Sequence, residues 1–172
     1  MAPRPGTNFH SSPMPSPSPD DFRATLGRFA TGVTVITTNA GERDYGMTVS
    51  AFASLSLEPP MVLVCLDAEA TMNGLLGEGA AFGVNVLAAG QEPLSRRFAS
   101  GDPADRFAGV GYSRGALGAP LLEGTLAWLE CTVAARHPGG DHTIVVGRVA
   151  EAGVREARPL LYYRSGYASL ER

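Results

Sequence analysis

The last third of the chain admits few folds. Ala127-Trp128-Leu129-Glu130-Cys131-Thr132-Val133-Ala134 is apolar and rich in strand formers, and it runs towards the turn Pro138-Gly139-Gly140-Asp141. His142-Thr143-Ile144-Val145-Val146-Gly147-Arg148-Val149 then returns, and Leu160-Leu161-Tyr162-Tyr163 adds one more strand. Strands joined this tightly pair antiparallel, because a parallel pair needs a crossover of a dozen or more residues. The same pattern holds upstream. Val33-Thr34-Val35-Ile36-Thr37-Thr38 is dense in β-branched residues, turns at residues 39–44, and is answered by Tyr45-Gly46-Met47-Thr48-Val49-Ser50-Ala51-Phe52. Met61-Val62-Leu63-Val64-Cys65-Leu66 and Phe82-Gly83-Val84-Asn85-Val86-Leu87 complete about six or seven strands in one antiparallel sheet that closes on itself.

Helices are few. Asp20 or Asp21 can cap one carrying Phe22, Leu26 and Phe29 and ending by Gly32; Thr71 can cap a short one through Leu75-Leu76; Gln91 to Ala99 reads as a third. Residues 100–119 read as a glycine-rich loop. The Pro/Ser-rich residues 1–19 cannot bury a face and are expected to be a disordered tail, leaving 20–172 as a single domain.

Composition removes whole classes of function. All fourteen basic residues are Arg, so the Lys that Schiff-base chemistry and a P-loop require is missing. A phosphate must therefore be met by Arg, hydroxyls, backbone N–H groups or a helix N-terminus. A net charge of −3 gives no electrostatic case for nucleic acid, and no apolar run is long enough for a membrane-spanning helix. No Gly-x-Gly-x-x-Gly lies between a strand and a helix, which excludes a Rossmann site. His137 and His142 have no obvious third metal ligand, so no metal is expected. Cys65 and Cys131 sit in apolar runs with no redox or zinc spacing and read as buried thiols of a reducing, cytoplasmic compartment. The N-terminus has no apolar core of a secretory signal.

Five segments, in order, carry a family resemblance. They are Gly46-Met47-Thr48-Val49-Ser50-Ala51-Phe52-Ala53-Ser54-Leu55-Ser56, Phe82 to Leu87, Leu94-Ser95-Arg96-Arg97-Phe98-Ala99, Gly140-Asp141-His142-Thr143, and Leu161-Tyr162-Tyr163-Arg164-Ser165-Gly166-Tyr167. Together they resemble the flavin reductase-like domains, the reductase components of two-component flavin-dependent monooxygenases. The resemblance implies a mainly β protein, a split antiparallel β-barrel of the Greek-key, FMN-binding type with a few short helices. It implies FMN or FAD as flavin and NADH or NADPH as hydride donor. It also implies a homodimer and a separate monooxygenase that receives reduced flavin. The alternative within the same barrel is a carrier or sensor that binds flavin without turnover.

The resemblance also assigns residues. Met47, Thr48, Val49, Ser50, Ser54, Leu55 and Ser56 are expected to contact the flavin. Strand alternation supports this in principle, since Thr48 and Ser50 would share one face, as would Ser54 and Ser56 just beyond the strand. Thr71, opening a helix, would meet a phosphate, although Asp67 and Glu69 nearby are unhelpful to one. Asn85 would bond either the flavin or the protein. His142 is the catalytic candidate, beside the face where nicotinamide would deliver hydride; Asp141 would orient it. Arg96, Arg97 and Arg106 are read either as cofactor contacts or as a solvated, ion-paired group.

Overall fold

A computed structural model describes residues 16–103 and 105–170, so most of the expected tail lies outside the described residues. In chain order the elements are α1 (Pro19–Leu26), β1 (Thr31–Gly32), β2 (Thr34–Ala40), β3 (Arg43–Val49), β4 (Phe52–Leu57), β5 (Pro60–Asp67), α2 (Thr71–Leu75), β6 (Ala81–Val86), a 3-10 turn (Ala89–Gln91), α3 (Glu92–Ser100), β7 (Tyr112–Arg114), β8 (Pro120–Leu122), β9 (Ala127–Gly139), β10 (His142–Val154), β11 (Leu160–Tyr163) and β12 (Gly166–Ser169).

Seven strands form one antiparallel sheet in the order β3-β2-β6-β9-β10-β5-β4. Its two edges, β3 and β4, are chain neighbours separated only by Ser50 and Ala51. The sheet therefore curls until its ends approach. One core draws Val49 from β3, Ile36 from β2, Phe82 and Val84 from β6, Cys131 and Val133 from β9, Val145 from β10, and Val62, Val64 and Leu66 from β5. Met72 and Leu76, from α2 and its C-terminal end, join that core. No ladder joins β3 to β4, and that gap is the split of the barrel. The expected fold class stands, as a barrel left open at one seam.

A second core lies outside the sheet. Val33, just before β2, and Val35 of β2 pack with Leu87, Leu122, Leu160 and Phe98 of α3. Gly46 of β3 lets this layer close down, since a Cβ there would overlap the Phe98 ring. Residues 100–119 are not all loop: β7 and β8 pair across residues 112–122 and cover the outer face of β2 and β6.

Three helix boundaries differ from the sequence reading. Pro19 occupies the first turn of α1, where its missing N–H costs nothing, and Ser18 rather than Asp20 or Asp21 accepts the Asp21 amide at 3.1 Å. The helix stops at Gly27, not Gly32, because Thr31 and Gly32 pair with β11. The Ala70 backbone, not the Thr71 side chain, caps α2.

Candidate active site

Strand alternation selects one face of the sheet. Val62, Val64 and Leu66 of β5 point into the core, so Leu63, Cys65 and Asp67 point out. Ala53 pairs with Leu63, Ile144 with Cys65 and His142 with Asp67. This outer face is the floor of a cavity of about 640 Å³, within the usual size range of small-molecule sites. Phe22, Leu26 and Phe29 wall it on one side, Tyr162, Arg164 and Ser165 on another, and Ser50 and Phe52 at the split. Cys65 is thus half-buried in a cavity wall rather than sunk in the core; Cys131 is the buried thiol, pushed up to about 12 by burial and by the neighbouring Glu130 charge.

His142 stands on the same face, one residue pair beyond Cys65, about 7 Å at the rise of a strand. Its Nδ1 lies 2.7 Å from Asp141 Oδ1. An ionised carboxylate only accepts, so Nδ1 carries the proton, and in the neutral ring Nε2 is the acceptor. The hydrogen bond to His142, and then its charge, hold the Asp141 carboxyl below its ordinary value. Gly140, at φ +73, makes the turn that brings Asp141 and His142 to the head of β10.

The Gly46–Ser56 run does not act as one strand. It crosses the split, from β3 at one edge of the sheet to β4 at the other. Thr48 turns away from Ser50: its hydroxyl donates to Ser95 O at 2.7 Å, under α3. Val49 is buried in the core, and its carbonyl accepts from the Thr34 hydroxyl. Ser50 lines the cavity. Ser54 and Ser56 lie inside β4 and do not share a face. Leu55 is an extra, bulged residue, so Ser54 registers with inward Val62 and Ser56 with outward Met61.

The remaining predicted residues separate. Thr71 and Met47 meet in a second, smaller depression of about 140 Å³ with Tyr45 and Arg106. Asn85 is a correction. It is 0% exposed, donates to Val35 O and Thr37 Oγ1 at 3.1 Å each, and accepts from Leu122 N at 2.7 Å. Both amide protons are donated, strand β8 holds the carbonyl, and the side chain is fully buried, so it does not face a ligand. The three arginines near α3 are also engaged. Arg96 pairs with Glu92 at 2.7 Å and lies over the Tyr167 ring, Arg97 donates to Ala108 O, and Arg106 to Gly46 O and Gly101 O. Phe29, Tyr162 and Arg164 were missed as cavity residues. The apolar Phe22-Leu26-Phe29 spacing hinted at Phe29, but a helix burying that face inward would look the same; Tyr162 and Arg164 lay in a segment of the resemblance with no role assigned to them.

The donor set fits a flavin. A flat aromatic ring system matches a floor of Ala53, Leu63 and Cys65 between aromatic walls, and Arg23 and Arg164 at the same cavity match an anionic tail. Residues 26–171 match the family model described as flavin reductase like domain. The chain belongs to that family. Among flavin reductase-like proteins it is 44% identical over 161 residues to the NADH-dependent flavin reductase of a Rhodococcus species, covering 91% of this chain and 89% of that one. It is equally 44% identical, over 156 residues, to the reductase subunit HsaB of a flavin-dependent monooxygenase from Mycobacterium tuberculosis, covering 89% and 83%. The Streptomyces globisporus NADH:FAD oxidoreductase SgcE6, solved with NAD and FAD fragments, superposes with a TM-score of 0.84 at 38% identity, covering 90% and 93% of the two chains.

Proposed function

We propose that this chain is an NADH- or NADPH-dependent flavin reductase whose flavin, FMN or FAD, lies in the cavity over Ala53, Leu63 and Cys65. The observation that carries the reading is the placement of His142 on the cavity's own face of β5 and β10. Family membership and the printed activities of the relatives support it. When bound, flavin supplies the two-electron acceptor for hydride.

The chain's own residues do the rest. The apolar floor and aromatic walls can hold two flat rings in contact, and such positioning is most of what hydride transfer asks of a protein. Asp141 fixes the His142 tautomer, so Nε2 can accept a hydrogen bond from the nicotinamide carboxamide. Ser50 offers a hydroxyl at the split. Thr71 and Met47 reach the same ligand only if it extends over the seam towards Arg106.

Residues 20–172 act as one domain in this reading, and a separate monooxygenase consumes the reduced flavin, as the names of several relatives imply for those proteins. The chain works as a homodimer. In support, α1 buries none of its residues, and Phe22, Leu26 and Phe29 stand 53%, 55% and 76% exposed at the cavity wall. A cytoplasmic setting belongs to the same proposal, supported by two free thiols. Among the described residues no helix is long and apolar enough to cross a membrane.

Anaerobic titration tests the core of the reading. Flavin-loaded protein should lose its visible flavin absorbance on adding NADH or NADPH. Retention of that absorbance with both donors overturns it. Sedimentation tests the dimer, which a monomer at micromolar concentration would exclude.

A further inference from the structure

Strands β11 and β12 are joined by two residues, Arg164 at φ +49 and Ser165 at φ +63. Both central positions of this hairpin are left-handed, the geometry that selects Asn-Gly or Gly-Gly. Neither residue is Gly or Asn. The neighbouring glycine, Gly166, stands one place too late to relieve the turn, outside the positive-φ positions. The turn is fixed in place, since Arg164 N donates to Gly27 O at 2.9 Å and so docks it on the end of α1. A conformation that side chains resist, docked at a cavity wall, is the kind of outlier that marks function.

The side chain presented there is the right one for an anion. Arg164 and Arg23 are the cations of the large cavity. Arg23 is tied to Asp20 at 3.2 Å, whereas the Arg164 guanidinium is exposed and makes no hydrogen bond or ion pair among the described residues. The chain has no Lys to share the task. A ring filling the apolar floor leaves its phosphates at the wall, where a guanidinium fork and the Ser165 hydroxyl can meet them.

We propose that Arg164, held out by this left-handed turn, is the phosphate-recognition residue of the site and sets which nucleotides it binds well. This rests on the flavin reductase reading above. The shared chemistry is a phosphate of a nucleotide cofactor, either the flavin's or the nicotinamide donor's.

The test compares wild type, Arg164→Gly and Arg164→Lys by thermal melting, by titration with FMN, FAD and NADH, and by single-turnover flavin reduction. Arg164→Gly should melt no lower than wild type, because glycine suits φ +49, yet lose roughly tenfold in affinity for the nucleotide it meets. Arg164→Lys should recover most of the affinity at low salt and lose it as salt rises. A loss shared by FMN and FAD assigns the flavin phosphate, a loss confined to FAD assigns its adenylate half, and a loss confined to NADH assigns the donor. Unchanged affinity for all three in Arg164→Gly, or a lower melting point with binding intact, overturns the proposal. If wild type itself neither binds flavin nor oxidises NADH, the reductase reading fails first and takes this one with it.

Discussion

Arg114 grips Asp44 with both arms of its guanidinium, Nη1 to Oδ1 at 2.6 Å and Nη2 to Oδ2 at 2.8 Å. Tyr112 and Asn39 donate to the same carboxylate at 2.7 and 2.9 Å, so the β2–β3 hairpin is tied to β7 at one half-buried acid.

This contact should be sensitive to acid. Burial alone would push the Asp44 carboxyl up, but the hydrogen bonds from Arg114, Asn39 and Tyr112 together hold it below its ordinary value. A lowered folded value means that the stabilisation is complete above the unfolded value, near pH 4, and disappears as pH falls through the folded one. Asp44→Asn should cost about 1 kcal/mol at neutral pH, modest because Arg114 is half exposed. The gap between the two proteins in urea melts should close towards acid. A gap constant down to strongly acidic pH would refute the assignment.

Asn85→Ala should be a stability variant and not a binding one. It strands the Leu122 N–H in the interior and removes two further bonds, at a cost of about 2–3 kcal/mol. Flavin titration of the folded protein should match wild type. A loss of flavin affinity out of proportion to the loss of stability would return Asn85 to the site.

What the sequence made legible followed from local rules. Strand alternation and tight turns are encoded residue by residue, so β2, β5, β6, β9 and β10 could be read directly, and His142 at the head of a strand came with them. The errors came from tertiary context. Thr48 and Ser50 alternate correctly, but Ser95 above Thr48 belongs to a helix some fifty residues on. Ser54 and Ser56 have the spacing of one face, and a single bulged residue at Leu55 cancels it. Asn85 looked available only because the strand that engages it arrives later in the chain. Arg164 lay inside a segment that carried the resemblance, but nothing local marked its role, since the sequence there places its glycine outside the strained positions.

The two thiols should differ sharply in reactivity. Cys131 is fully buried with its thiol pushed up to about 12, so it should resist iodoacetamide until the protein unfolds. Cys65, in the cavity wall, should be alkylated in the folded protein, and bound flavin should protect it. Mass spectrometry of the two peptides reads this directly. Equal labelling of both, or no protection by flavin, would count against the cavity as the flavin site.

His142→Ala should slow hydride transfer by more than it weakens flavin binding, roughly tenfold or more in single-turnover rate. The same change should let the Asp141 carboxyl rise to its ordinary value, because the hydrogen bond that lowers it is gone. Carboxylate chemical shifts followed against pH check the second point independently of activity. An unchanged transfer rate would remove His142 from the reaction.

The two-residue link between β3 and β4 also dictates an order of assembly. The β2–β3 and β4–β5 hairpins emerge early from synthesis, yet they belong to opposite edges of the sheet. Only β6, β9 and β10 can bridge them, and the last two come from the final third of the chain. Until β9 and β10 arrive, β6 and β5 each hold an unpaired, apolar edge open to other chains. The late β9–β10 hairpin is thus the keystone of folding as well as the support of His142. A chain truncated before it should aggregate rather than fold in part.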